Sequence, residues 1–268
     1  ATQNNNYKVG LNVAAPVNDF VKLNTRFLVS SGTGDFASLE TSDNGDSNVD
    51  VELSNVYFGY TGIKNTTVNV GKQGLTTPWT VATQIDGNEQ TGTGILALST
   101  IENVTLAGAY FNQTNLGTSG NGLPQIAGTA GYTADSFGSQ DLGTVGTIVA
   151  VGPVTLDAWY VDMQETFNSY TLGAKASTEL AGITFGADAR YTSLQLDRNV
   201  AENLAGYGAS YQLKTNDNVE NDVHEDNSLA KLALTAKAGI LSGKAVYGKT
   251  GKDGGLTALD KDASTTLL

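Results

Sequence analysis

The chain contains no cysteine and only one histidine, one methionine and four prolines among its 268 residues. Without cysteine there is no disulfide framework and no cysteine-ligated metal site. The same absence suits an oxidising compartment, where a free thiol is a liability. No run approaches the roughly 20 apolar residues of a membrane-spanning helix, so the sequence predicts no such helix.

Basic residues are also scarce. The chain has 15 Lys and Arg against 27 Asp and Glu, which gives a net charge of −12, and only 16% of its residues are charged. This acidic balance argues against a nucleic-acid partner, because the phosphate backbone attracts basic surfaces. The near-neutral mean hydropathy of −0.16 is compatible with a membrane β-barrel, in which every second strand residue faces water.

Alternation of apolar and polar residues predicts an all-β chain of about twelve strands. The predicted strands are approximately residues 6–17, 21–31, 49–62, 66–75, 94–101, 104–114, 143–152, 154–164, 167–179, 183–196, 228–239 and 243–250. Helix-forming residues cluster only at 199–204, and this segment is too short to count as a helix.

The connections between these strands alternate in length. Tight turns such as Gly152-Pro153 and Leu180-Ala181-Gly182 alternate with longer loops, three of which are very long: 32–48, 115–142 and 197–227. Short turns at one end and long loops at the other are typical of an antiparallel transmembrane β-barrel of the outer-membrane type. A soluble sandwich would mix both lengths at both ends.

The strands have one apolar and one polar face. In 183–192, for example, Phe185 and Tyr191 alternate with Asp188 and Arg190. Two interpretations of the polar face remain open: a solvated sheet surface, or a pore wall whose charges sort solutes by sign. Under the second, the pore wall includes Lys175, Asp188, Lys231 and Lys237. Residues 51–60 break the alternation, which indicates a β-bulge or a strand buried on both faces at a subunit interface.

The segment 66–94 contains an unusual connection. It begins as a strand, loses the strand pattern at Gly74 and resumes it near 94–96. Long loops without their own periodicity are uncommon in compact domains, and this one carries apolar anchors. We predict that residues 76–91 fold into the barrel as a constriction loop. The predicted constriction residues are Asp86 and Glu89, facing Arg26, Lys22 and Arg190. Alternatively, Asp86-Gly87 forms an ordinary turn.

Residues 49–114 resemble the Campylobacter-type major outer membrane porins. The matching features are NVYFGYTG, VNVGKQ, a loop with Trp79, IDG at 85–87, GTG at 92–94 and VTLAGAYF at 104–111. A looser resemblance runs through 183–250, where a GITFGADARY strand, an acidic loop and a two-strand hairpin follow in the same order.

This resemblance implies a homotrimeric, 18-stranded porin of the Gram-negative outer membrane whose third extracellular loop narrows the lumen. It further implies that residues 1–268 form a single β-barrel domain incomplete at both ends, with about one strand before residue 1 and several after 268. By the same resemblance Asp86 is a constriction acid suited to a divalent ion such as Ca²⁺, since hard cations take carboxylate oxygens. No cofactor is required.

We therefore predict a general diffusion porin for small hydrophilic solutes and ions. The alternative is a surface structural protein or adhesin whose long loops carry the function. An enzyme is not expected, because His224 lies in the acidic loop DNVENDVHED without a marked nucleophile. Outer-membrane lipid and lipopolysaccharide are the expected surroundings. The acidic loop 197–227 either binds cations that bridge lipopolysaccharide or is simply solvated.

Overall fold

The computed structural model describes residues 6–30, 36–38, 50–85, 87–118, 138–204 and 224–267. Its elements are β1 (Asn6–Tyr7), β2 (Val9–Pro16), β3 (Val21–Ser30), β4 (Ala37–Ser38), β5 (Asp50–Tyr60), β6 (Thr66–Gly74), β7 (Thr91–Ile101), β8 (Val104–Thr114), β9 (Leu142–Val151), β10 (Val154–Met163), β11 (Phe167–Leu180), β12 (Ile183–Leu196), α1 (Arg198–Leu204), β13 (Asp226–Ala238) and β14 (Leu241–Thr250). Within these ranges, no helix has the length and apolar character needed to cross a membrane.

All strands except β1 and β4 belong to one 12-stranded antiparallel sheet, in which they follow one another in chain order from β2 to β14. β1 and β4 pair separately. The short turns join neighbouring strands at one end of the sheet. Ala181 and Gly182, for example, connect β11 to β12 with positive φ at both positions, as a tight hairpin turn requires. The prediction of about twelve antiparallel strands is confirmed.

A β-bulge explains the broken alternation in β5. Arg26 of β3 pairs with Asn55, but the next residue, Phe27, pairs with Leu53. Ser54 is therefore the additional residue of the bulge, and it is buried. A bulge reverses the facing of the residues beyond it, which is why the apolar positions shift parity along this strand.

The sheet has one exposed apolar face. Leu232 pairs with Ala189 on one side and Tyr247 on the other, and Leu232 and Tyr247 are both exposed. Exposed tyrosines lie on this face towards the ends of the strands that carry the long loops: Tyr110, Tyr160, Tyr170 and Tyr191. An apolar surface of this extent marks contact with a non-aqueous environment or a partner.

The opposite face is polar at mid-strand but apolar near the long-loop end. An apolar row crosses neighbouring strands there: Phe111, Leu142, Met163, Phe167 and Leu196. Residues from the connections complete this buried cluster: Leu75, Trp79, Leu116, Val200, Ala201, Leu204 and Leu259. The main core of the described structure thus lies between the inner wall and the connections that fold over it.

The short helix α1 corrects the sequence-based expectation for residues 199–204. The backbone N–H of Asn199 donates to Asp197 Oδ1 at 2.9 Å, which supplies a side-chain cap for the first turn. Val200, Ala201 and Leu204 are buried in the core cluster. Packing of this face stabilises a helix whose length alone would not.

Candidate functional site

The connection between β6 and β7, residues 75–90, folds back on itself and lies against the polar face of the sheet. The N–H of Leu75 donates to the carbonyl of Gln90 at 2.8 Å, and that of Gln84 donates to Asn88 at 2.8 Å. An isolated bridge joins Thr83 to Glu89. These backbone hydrogen bonds hold the segment, which we call the inner loop, in a defined shape.

One part of the inner loop is attached to β3 and β5 through Glu89. Arg26 Nε donates to Glu89 Oε1 at 2.6 Å, and the hydroxyl of Ser54 donates to Glu89 Oε2. The bulge in β5 places Ser54 at this position. Arg26 lies over Gly10, where a Cβ would overlap the guanidinium, and its Nη1 also donates to Asn12 at 3.0 Å. The Glu89 side chain is only 6% exposed, so this carboxylate is buried and neutralised.

The other part of the inner loop reaches β11 through Trp79. The indole is fully buried, and Nε1 donates to Ser169 Oγ at 2.8 Å. The loop therefore contacts strands from both halves of the sheet. The sequence places Trp79 in this loop but does not predict its partner, because nothing local in the sequence relates residue 79 to residue 169.

A second segment, residues 251–267 after β14, lies beside the inner loop. The N–H of Leu259 donates to the carbonyl of Trp79 at 3.1 Å, and the N–H of Ile85 donates to Asp262 Oδ2 at 2.8 Å. Lys231 Nζ holds this segment to β13 by donating to the carbonyls of Ser264 at 2.9 Å and Thr266 at 2.8 Å. The sequence analysis did not predict this second inner segment.

A buried ion pair lies on the polar face of β10 to β12. Arg190 donates from Nη1 to Asp157 Oδ2 at 2.9 Å and from Nη2 to Oδ1 at 2.8 Å. The pair spans β11 above Gly173, where a Cβ would overlap both groups. The side chains of Arg190 and Asp157 are 5% and 11% exposed. Arg190 is therefore engaged with the wall rather than with Glu89.

The remaining predicted wall residues line or flank an open recess of about 440 Å³ on the same face. Lys175 and Asp188 form a partly exposed ion pair at 3.4 Å, and Lys231 and Lys244 complete the charged part of the lining. Lys237 is exposed and pairs with Thr184 and Ser242 near the short turns. The recess is rich in cations, and the structure brings Lys175, Asp188 and Lys231 together as one group.

The two remaining predicted constriction residues are Lys22 and Asp86. Lys22 faces the same side as Arg26 but lies four residues nearer the short turns, about 13 Å along the strand. Asp86 lies outside the described residues, so its position and the predicted metal site stay predictions. Within the described ranges, no group of three or more His, Cys, Asp and Glu residues is placed to hold a metal ion.

The family model of the Campylobacter major outer membrane protein matches residues 1–253 of this sequence. The chain belongs to this family. Among solved structures, OccK8 (OprE) of Pseudomonas aeruginosa superposes with a TM-score of 0.68 at 14% identity, covering 98% of this chain and 67% of that protein. OccAB3 of Acinetobacter baumannii gives 0.66 at 14% identity, covering 98% and 64%.

OpdK of Pseudomonas aeruginosa, solved with vanillate, gives a TM-score of 0.65 at 12% identity and covers 92% of this chain and 62% of that protein. The chain thus spans 62–67% of the length of these three structures. No curated protein matches the sequence.

Family and fold together identify an antiparallel transmembrane β-barrel porin of the bacterial outer membrane, as predicted. In such a barrel the apolar face contacts lipid, the polar face lines the lumen, and the long loops are extracellular. Family and fold are those of channel proteins. The histidine considered for catalysis, His224, lies 4.0 Å from the carboxylate of Asp253.

Proposed function

We propose that the protein is a general diffusion porin in which small hydrophilic solutes and ions pass through a water-filled barrel narrowed by the inner loop. The observation that supports this is the position of the loop against the polar face. Glu89 contacts β3 and β5, and Trp79 contacts β11. A loop attached to β3 and β5 on one side and to β11 on the other reduces the open cross-section of the lumen between these strands.

The charges around this passage form a transverse field. The inner loop carries Glu89, paired with Arg26, and in the sequence also Asp86; the polar face of the wall carries Lys175, Lys231, Lys237 and Lys244. Charged rings and walls of this kind select solutes by sign. Because Arg26 neutralises Glu89 locally, we assign to Asp86 the larger part of the loop's net negative field.

We propose Asp86 as the residue that would hold a divalent cation such as Ca²⁺, because hard cations take carboxylate oxygens. Glu89 is a poor second ligand, since both of its oxygens already accept hydrogen bonds from Arg26 and Ser54. A bound cation would reduce the loop's negative field.

The exposed apolar face also supports a proposal for the assembly. We propose that it contacts outer-membrane lipid, lipopolysaccharide and, in a homotrimer, the neighbouring subunits. An intact-mass measurement on the full-length protein in detergent, with chemical cross-linking as a second readout, tests this. Three-subunit species are expected, and a strictly monomeric protein at all concentrations would contradict the trimer.

Single-channel recording on the full-length protein tests the constriction. Asp86→Asn and Glu89→Gln should both lower the ratio of cation to anion permeability. The second variant should act by leaving the positive charge of Arg26 without its counter-charge. Asp19→Asn is the matched control, because it also removes one carboxylate but lies in an exposed short turn away from the inner loop. Asp86→Asn alone should abolish any response to a chelator.

The proposal is contradicted if Asp86→Asn and Glu89→Gln conduct and select as the parent does. In that case the inner loop does not line the narrowest part of the passage. An equal change in the Asp19→Asn control would point to overall charge rather than to the loop.

A further inference from the structure

A cavity of about 180 Å³ lies between the first residues of the inner loop and the lumen wall. Gly74 to Thr77 form one side of it. The wall contributes apolar side chains from three strands: Leu96, Leu98, Ala107, Ala109, Phe111 and Trp159. The polar side chains among the lining residues are those of Thr76, Thr77 and Thr144.

This apolar lining continues the buried core cluster from the long-loop end towards the middle of the inner wall, where the face is otherwise polar. Leu96 pairs with Asn69 on one side and Ala109 on the other, and Ala107 pairs with Leu98. Leu96, Ala109 and Trp159 pack against the buried core cluster, which places them on the lumen side. Solvated pore walls are lined by polar residues, so these apolar residues mark the place where the core cluster borders the lumen.

Trp159 provides a flat aromatic side of the cavity. Its indole lies over Gly146, where a Cβ would overlap the ring. Glycine at that position lets the ring lie close to the wall instead of projecting across the lumen. The indole is half-buried and borders the cavity, where an aromatic solute can stack against it or meet its edge.

We propose that this cavity is a subsite for the ring of a small monocyclic aromatic solute that carries a polar substituent. An apolar cavity of about 150 Å³ stays dry and takes up benzene, so one ring is the size that fits. The Thr144 hydroxyl donates to the Tyr160 carbonyl at 2.8 Å, which leaves its oxygen able to accept from a substituent such as a hydroxymethyl group. This inference rests on the proposed function, because it assigns a solute class to the same lumen.

The two tryptophans of the chain allow binding to be measured directly. Trp159 lines the cavity, whereas Trp79 is fully buried elsewhere and donates to Ser169. We would titrate the full-length protein in detergent with 4-bromobenzyl alcohol, whose bromine quenches indole fluorescence on contact. The parent is compared with Trp159→Phe, which removes the reporter, and with Ala109→Leu, which fills the cavity.

Saturable quenching in the parent that is lost in both variants supports the subsite. Benzyl alcohol, which keeps the aromatic ring and the hydroxymethyl group but has no bromine, should compete and restore the fluorescence of the parent. Circular dichroism checks that each variant keeps its β-structure, and Ala107→Leu provides a second way to fill the cavity if Ala109→Leu does not fold.

Linear quenching of equal slope in the parent, Trp159→Phe and Ala109→Leu would overturn the subsite, because the probe would then reach the indoles only through the micelle. Saturable quenching that persists in both filled variants would also overturn it. Fluorescence requires no ion flux, so the two proposals fail separately. A protein that conducts but shows only linear quenching refutes the subsite, whereas one that quenches saturably but never conducts refutes the proposed channel function.

Discussion

Replacing Asp157 by Asn should destabilise the barrel more than the loss of any exposed lumen charge. The Arg190 guanidinium, with a side chain 5% exposed, would lose the carboxylate that accepts two of its N–H groups. Removing one partner of a buried ion pair typically costs about 3–5 kcal/mol, because the other charge stays desolvated. Thr171 Oγ1 remains as an acceptor for Arg190 at 3.1 Å, so we expect a cost near the lower limit, about 3 kcal/mol.

The neighbouring ion pair on the same wall supplies the matched control. Lys175 and Asp188 lie 3.4 Å apart, but their side chains are 52% and 35% exposed. Exposed pairs contribute about 0–1 kcal/mol, so Asp188→Asn should change stability little. The free energy of unfolding is measured by denaturant titration of the full-length protein in lipid vesicles, followed by circular dichroism.

A double variant separates lost pairing from lost packing. Asp157→Leu combined with Arg190→Met removes both charges, and replacement of a buried pair by apolar residues of similar size is often neutral. We therefore expect the double variant to be more stable than Asp157→Asn alone. If Asp157→Asn and Asp188→Asn lowered the free energy of unfolding equally, burial of the Arg190–Asp157 pair would not determine its contribution to stability.

Three further predictions concern the barrel wall and the inner segments. Leu232→Arg should cost about 2–4 kcal/mol at mid-membrane depth, whereas Thr235→Arg should mainly alter conductance; equal destabilisation in denaturant titrations would reject the assignment of the two faces. Ser169→Ala leaves the buried indole N–H of Trp79 without its acceptor, so unfolding titrations should show a loss of about 1–3 kcal/mol, and an unchanged midpoint would contradict that contact. Lys231→Met removes the donor to two backbone carbonyls of the segment 251–267, and single-channel records should show more current noise than the parent; identical noise would count against this attachment.

The sequence by itself determined the strands and their two faces. Side chains alternate across a strand with a period of two, so Leu232 and Thr235 could be assigned to opposite faces without coordinates. The parity change in residues 51–60 likewise indicated either a bulge or a strand buried on both faces, and the register shows a bulge at Ser54. Local periodicity contains this information because it depends only on neighbouring residues.

Only the tertiary structure decided which residues of the polar face meet. Alternation assigns Lys22, Arg26 and Arg190 to the lumen side, but it contains no information about depth or partner. The structure brings Arg26 to Glu89 and Arg190 to Asp157, whereas Lys22 lies nearer the short turns. Contacts between residues far apart in the chain depend on sheet register and on the path of the connections.

The same reason explains the features that the sequence analysis missed. The segment 251–267 has no strand or helix period, and its position beside the inner loop depends on contacts with Trp79, Ile85 and Lys231. Helix α1 is stabilised by burial of Leu204 in a core assembled from distant strands and connections. Because tertiary burial rather than local propensity stabilises these parts, only the folded chain shows them.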